Sequence, residues 1–192
     1  MTHLKIQAIA CISLFVTLAV IPVRAGLQSG YNGKTLILSC RPAIDIPIGI
    51  DRNLFKTSGG LELSAIKPLP RLPFIGTGIG VTYRPGRMEH SDLGDLGTLS
   101  ILSTEAKLEV RQPLGELFVL LGGGSLGYFG AVLNQNTASY VTHLVWSGRG
   151  GAGIRVYPNM IISMQCEYRH HLSLYRLIGI ALGIETGIGG KR

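Results

Sequence analysis

Beyond its first 25 residues the chain has no run of about 18 apolar residues, so no transmembrane helix is expected there. Charge is sparse, at 15% of residues, and the basic side chains form no cluster. With Lys5 and Arg24 set aside, sixteen basic residues face eleven acidic ones. A basic balance spread singly along the chain argues against nucleic acid as a partner and for anionic lipid headgroups. Cysteine is scarce. Cys11 lies in the apolar N-terminal stretch, leaving Cys40 and Cys166, so no disulfide framework exists. These two thiols either form one disulfide in an oxidising compartment or sit apart on an apolar surface. No Cys or His spacing of a metal site occurs, His170-His171 alone being too little, and neither a metal nor a cofactor is expected.

What the chain does have is 27 glycines together with a positive mean hydropathy of +0.33. That combination fits hydrophobicity dispersed on alternate positions. From Met160 to His170 the even positions are Met160, Ile162, Met164, Cys166 and Tyr168, while the odd ones carry Ser163, Gln165, Glu167 and Arg169. From Leu174 to Ile188 the even positions include Ile178, Ile180, Leu182 and Ile184, set against Gly179, Gly183 and Glu185. Side chains alternate across a strand, so each segment has one greasy face and one of charges and glycines. The greasy faces outrun an average soluble strand and reach the roughly 9–11 residues of a membrane-crossing one.

The same alternation gives six more segments: 35–50, 60–66, 73–84, 98–111, 117–132 and 142–156. Short turns near 67–72, 112–116 and 157–159 alternate with longer loops at 51–59, 85–97 and 133–141. The expected fold is all-β, an eight-stranded antiparallel up-and-down transmembrane barrel over 26–192. Residues 1–25 read as a cleaved secretory signal, with a weak polar start, an apolar stretch from Ile6 to Val20 and Val23-Arg24-Ala25 before Gly26. Export to the bacterial outer membrane follows, with outer-membrane lipid as partner and the three longer loops as candidates for small solutes or extracellular ligands.

Within such a barrel one parity collects Arg41, Asp45, Glu62, Arg84, Glu105, Lys107, Glu109, Arg111, Arg149, Arg155, Glu167, Arg169 and Glu185. An eight-stranded barrel is just wide enough for side chains to fill. Charges inside it must pair, because an unpaired buried charge is expensive. They are expected to form a lumenal network, either a salt-bridged plug or a narrow ion path. Two glycine patterns mislead. Gly148-Arg149-Gly150-Gly151-Ala152-Gly153 fits a dinucleotide fingerprint, but strand alternation continues where a helix is required. Gly33-Lys34-Thr35 lacks the earlier glycine of a phosphate loop, since position 28 is Gln28.

The alternation, the turn–loop rhythm and the even strand number resemble the small eight-stranded outer-membrane barrels of the OmpA-transmembrane, OmpX and OmpW type, over residues 34–188. That resemblance implies a non-enzymatic role: structural, surface-interacting or porin-like passage of small solutes. Such barrels usually end on an aromatic residue, whereas this chain ends Gly189-Gly190-Lys191-Arg192. A second pattern, His171-Leu172-Ser173 followed by Glu185, is similar to the PagL-type lipid A deacylases. It would imply Ser173 as nucleophile, His171 as base and Glu185 as orienter. Leu174 stands where those enzymes have asparagine.

Overall fold

The computed structural model describes residues 35–90, 92, 94–133, 140–172 and 174–189. The proposed signal at 1–25 lies outside them. Eight strands follow in order: β1 Leu36–Pro47, β2 Ser58–Leu69, β3 Leu72–His90, β4 Gly94–Leu114, β5 Phe118–Leu133, β6 Tyr140–Tyr157, β7 Met160–His171 and β8 Tyr175–Ile188. Each pairs antiparallel with its neighbours, and β1 also pairs with β8, closing the barrel. A short 3-10 turn, Gly49–Asn53, joins β1 to β2.

Local chemistry explains the reversals. Pro70-Arg71 and Pro158-Asn159 make two-residue connections at the end that also holds both termini of the sheet. The third turn at this end uses Gly115 at φ 74°, a conformation that disfavours a side chain. The 85–97 segment, expected as a loop, is largely strand. β3 and β4 stay paired from Arg84–Ile101 out to His90–Gly94, with a register shift at Met88/Glu89. The exposed pair Arg87–Asp95 sits at 2.7 Å on this extension. Alternation is lost there because Arg87, Asp92 and Asp95 are exposed and, among the described residues of the segment, Met88 alone packs against the interior, so polarity reads as loop. Most of the 133–141 loop lies outside the described residues.

The distribution of polarity is inverted relative to a soluble protein. Ile79, Tyr128, Met164 and Leu182 are each at least 60% exposed, and apolar side chains from all eight strands share that outer face. A soluble monomer rarely exposes so much contiguous apolar surface. Exposed rings cluster at two heights. Phe118 and Tyr157 lie toward the turn end, and Tyr83, Tyr128 and Trp146 toward the opposite end. Phe118 and Tyr128 are ten residues apart on the outer face of β5. At about 3.3 Å per residue and a tilt near 40°, that spans roughly 25 Å, matching the apolar band of a membrane barrel.

Inward glycines let the walls close around the interior. A Cβ at Gly78 would collide with the Ala65 carbonyl oxygen, and one at Gly151 with that of Met164.

Candidate functional site

The interior is stacked in three layers. Toward the turn end, Ile37, Ile66, Val119, Leu121 and Ile161 form an apolar floor. Toward the other end, Leu99, Ile101, Phe129, Ala131, Val145, Tyr175 and Leu177 form an apolar roof, with Phe55 from the β1–β2 connection packed into it. Between them lie six cations and six carboxylates, each no more than 6% exposed: Arg41, Arg84, Lys107, Arg111, Arg149 and Arg169 against Asp45, Glu62, Glu105, Glu109, Glu167 and Glu185.

Strand register explains who meets whom. Arg41 and Glu62 are direct partners across β1 and β2, and Arg149 and Glu167 across β6 and β7. The long guanidinium arms then cross the lumen. Arg41 donates to Glu62 at 2.8 Å, to Glu109 at 3.0 Å and to Glu185 at 2.7 Å, so one side chain of β1 ties β2, β4 and β8. Arg149 donates to Glu62 at 2.7 Å and Glu109 at 2.5 Å. Arg111 bridges Glu109 and Glu185. Lys107 lies 2.8 Å from Glu62 in space that Gly80 leaves open, since a Cβ there would run into the lysine Cε.

A second cluster adjoins the first. Arg84 pairs with Asp45 and donates to Glu167 at 2.7 Å. Arg169 pairs with Glu105 and donates to Glu167 at 2.9 Å. Glu105 also accepts from the hydroxyls of Ser103 and Ser125, each at 2.5 Å. Charges out of water require this density of partners, and the equal count leaves the layer formally neutral. A cavity of about 10 Å³ bordered by Arg41, Arg84, Arg149 and Glu167 is on the scale of one water molecule.

Arg155, assigned to this network by parity, is not part of it. It is half-buried at the floor, directly opposite Ile161 across β6 and β7 and beside the register shift that ends β6, and donates to the Glu116 carbonyl at 3.4 Å. Parity alone cannot say at which height along the lumen a side chain sits.

The deacylase pattern fails at Glu185. His171 pairs with Tyr175 at the start of β8, and Glu185 lies ten residues further down that strand. At about 3.3 Å per residue the two are roughly 33 Å apart. Glu185 is buried against Arg41 and Arg111, and His171 against aromatic rings. A base and its orienter must touch, so no triad forms. Ser173 lies outside the described residues. Among the described residues no cluster of three or more His, Cys, Asp or Glu suits a metal ion.

The apolar floor and roof were not anticipated from sequence. Their signal was there. Near strand ends both parities are apolar, as at Leu36-Ile37-Leu38 and Leu177-Ile178, and the inward member fills the lumen. Cys40 and Cys166 are both free and exposed on the apolar outer face.

An apolar outer surface ringed by aromatics at two heights, around an interior of paired charges, defines an eight-stranded transmembrane β-barrel. No family model and no curated protein matches the chain. Among solved structures, it is similar to Neisserial surface protein A, with a TM-score of 0.59 at 12% identity, covering 83% of this chain and 98% of that one. The outer membrane protein OprG from Pseudomonas aeruginosa gives 0.60 at 12% identity over 84% and 99%. The N-terminal β-barrel domain of OprF from the same organism gives 0.51 at 8% identity over 82% and 100%. At these identities the likeness is one of fold.

Proposed function

We propose that this chain is a non-enzymatic integral protein of the bacterial outer membrane, exported by residues 1–25, whose lumen is sealed and whose role is structural or surface-interacting. The observation that carries this reading is the layered interior. A continuous water path is needed for solute passage, and here a neutral layer of twelve interlocked charges lies between an apolar floor and an apolar roof. Two glutamates, Glu62 and Glu109, each engage three or more cations, so no single rotamer change opens a channel. Function then belongs to the outside: the lipid-facing belt, and the strand ends and connections opposite the turn end. Surface partners would meet the β3–β4 extension with Arg87 and Asp95, the 49–57 connection and the 133–141 loop.

Conductance of the refolded protein in planar bilayers tests the sealed lumen. Insertion without discrete current steps is expected. Reproducible steps from the wild-type chain would replace this reading with a small-solute pore.

A further inference from the structure

The roof is built around one imidazole. His171, the last residue of β7, is 1% exposed. Its ring stacks on Tyr175 at 4.9 Å and meets Phe129 edge-on at 4.9 Å. Tyr175 in turn stacks on Phe55 at 4.5 Å. Two ring contacts thus run from Phe55 through Tyr175 to His171, and a third holds His171 against the roof residue Phe129.

Phe55 is held there lightly. It makes one isolated bridge to Met88, flanked by two backbone hydrogen bonds, Lys56 N–H to Arg87 at 3.0 Å and Glu89 N–H to Leu54 at 2.8 Å. The nearby Lys56–Glu89 pair is 3.6 Å apart with both side chains near half exposed, so it adds little.

Neither ring nitrogen of His171 has a hydrogen-bond partner among the described residues. A neutral imidazole tolerates this site because its neighbours are rings and aliphatic groups. An imidazolium would not, having two N–H donors and no acceptor. The charged groups facing it come from every side. Arg169 and Glu167 are on its own strand, Arg84 on β3 and Glu105 on β4. Asp45 on β1 faces the adjoining Tyr175, and His143 on β6 lies across Phe129. Each of the three carboxylates is already engaged: Glu105 by Arg169, Glu167 by Arg84 and Arg169, Asp45 by Arg84. The same bridges hold Arg84 and Arg169, so no free acceptor is left to take up the N–H groups of an imidazolium.

We propose that His171 and Phe55 form an acid-released stopper: protonating His171 expels Phe55 from the barrel mouth and uncovers the apolar roof. This regulates the same lumen and rests on the sealed-lumen reading given above. The sign follows from linkage. Phe55 reaches His171 through the Tyr175 ring stacked on both, so release displaces that ring with it, and the imidazole then meets water and can hold a proton. With Phe55 seated the neutral form is required. Acidification through the ordinary imidazole range therefore favours the released form, by at most about tenfold per pH unit. The floor and charged layer stay in place, so release changes the mouth without opening a pore.

The test uses tryptophan fluorescence of the full chain in phospholipid bilayers. Trp146, the single native tryptophan, is changed to Phe, and Phe55→Trp reports on the stopper. Acrylamide quenching is measured from about pH 8 to about pH 5, a range bracketing the imidazole. Quenching of the introduced indole should rise several-fold on acidification, and His171→Phe should abolish the rise. If quenching stays flat in a folded barrel, or still rises with His171→Phe in place, the stopper idea fails. Should Phe55→Trp not fold, amide exchange at Lys56 and Glu89 serves instead, compared at about pH 5 between the wild type and His171→Phe. Faster exchange in the wild type is expected, and equal rates overturn the proposal. Planar-bilayer conductance of the wild type at about pH 8, where Phe55 is seated, separates the two readings: current there refutes the sealed lumen, whatever the quenching does.

Discussion

Replacing Arg149 with leucine removes one cation from a layer whose charges otherwise balance. It deletes the contacts to Glu62 at 2.7 Å and Glu109 at 2.5 Å and leaves six carboxylates facing five cations. Removing one partner of a buried pair costs about 3–5 kcal/mol, because the other charge stays buried without compensation. Glu62 keeps Arg41 and Lys107, and Glu109 keeps Arg41 and Arg111, so the lower end applies. About 3 kcal/mol corresponds to a roughly 100-fold fall in the folded-to-unfolded ratio. Urea unfolding in lipid vesicles reads this as a lower midpoint at unchanged slope. A second substitution sharpens the reasoning. Adding Glu109→Gln restores five against five, while Arg41 keeps Glu62 and Glu185 and Arg111 keeps Glu185. The double variant should therefore recover most of the loss. If Arg149→Leu lies within about 0.5 kcal/mol of wild type, as an ordinary surface change would, or if the double variant is less stable than the single one, the account of the network is wrong.

Other outcomes follow from the same geometry. With Cys40 and Cys166 replaced by alanine, a cysteine at Ile162 should react with membrane-soluble thiol reagents and one at Gln165 should not; the reverse order would turn the barrel inside out. Gly151→Ala should cost about 1–3 kcal/mol, as overpacking does, because its Cβ would strike the Met164 carbonyl. Gly148→Ala meets nothing within 4 Å and should be neutral or stabilising by about 0.4–1 kcal/mol, checked by the same unfolding assay. Ser173→Ala should leave the acylation of lipid A unchanged by mass spectrometry of extracted lipid; a serine-dependent loss of acyl chains would reopen the hydrolase reading.

The period-two pattern carried the strand number and the in–out assignment because the membrane punishes any slip of parity on one face. Ile162 outside and Gln165 inside needed no coordinates. Height was harder. Arg149 and Arg155 share a parity, yet one is central and the other lies opposite the floor residue Ile161, since parity is blind to position along the axis. The β3–β4 extension was hidden for a related reason: past the bilayer neither face of a strand has to be apolar. Phe55 was hidden most completely. It is a lone aromatic in a loop, and its place in the roof depends on how the 49–57 connection folds back toward Met88, a non-local event with no periodic trace.

The hydrogen bonds of Arg41 bear on how the cylinder is assembled. The first and last strands meet along β1–β8, and Arg41 reaches across that seam to Glu185. Until the last strand arrives, Glu185 lacks Arg41 and Arg111, and each of those arginines lacks a carboxylate. Such half-paired charges are poorly tolerated in hydrocarbon. Stepwise insertion, hairpin after hairpin, would thus strand them at every intermediate stage. Inserting and closing together, with β8 bringing its carboxylate to the seam, would avoid that exposure. A chain truncated before β8 should stall at the membrane surface, and Glu185→Gln should slow closing more than it weakens the finished barrel.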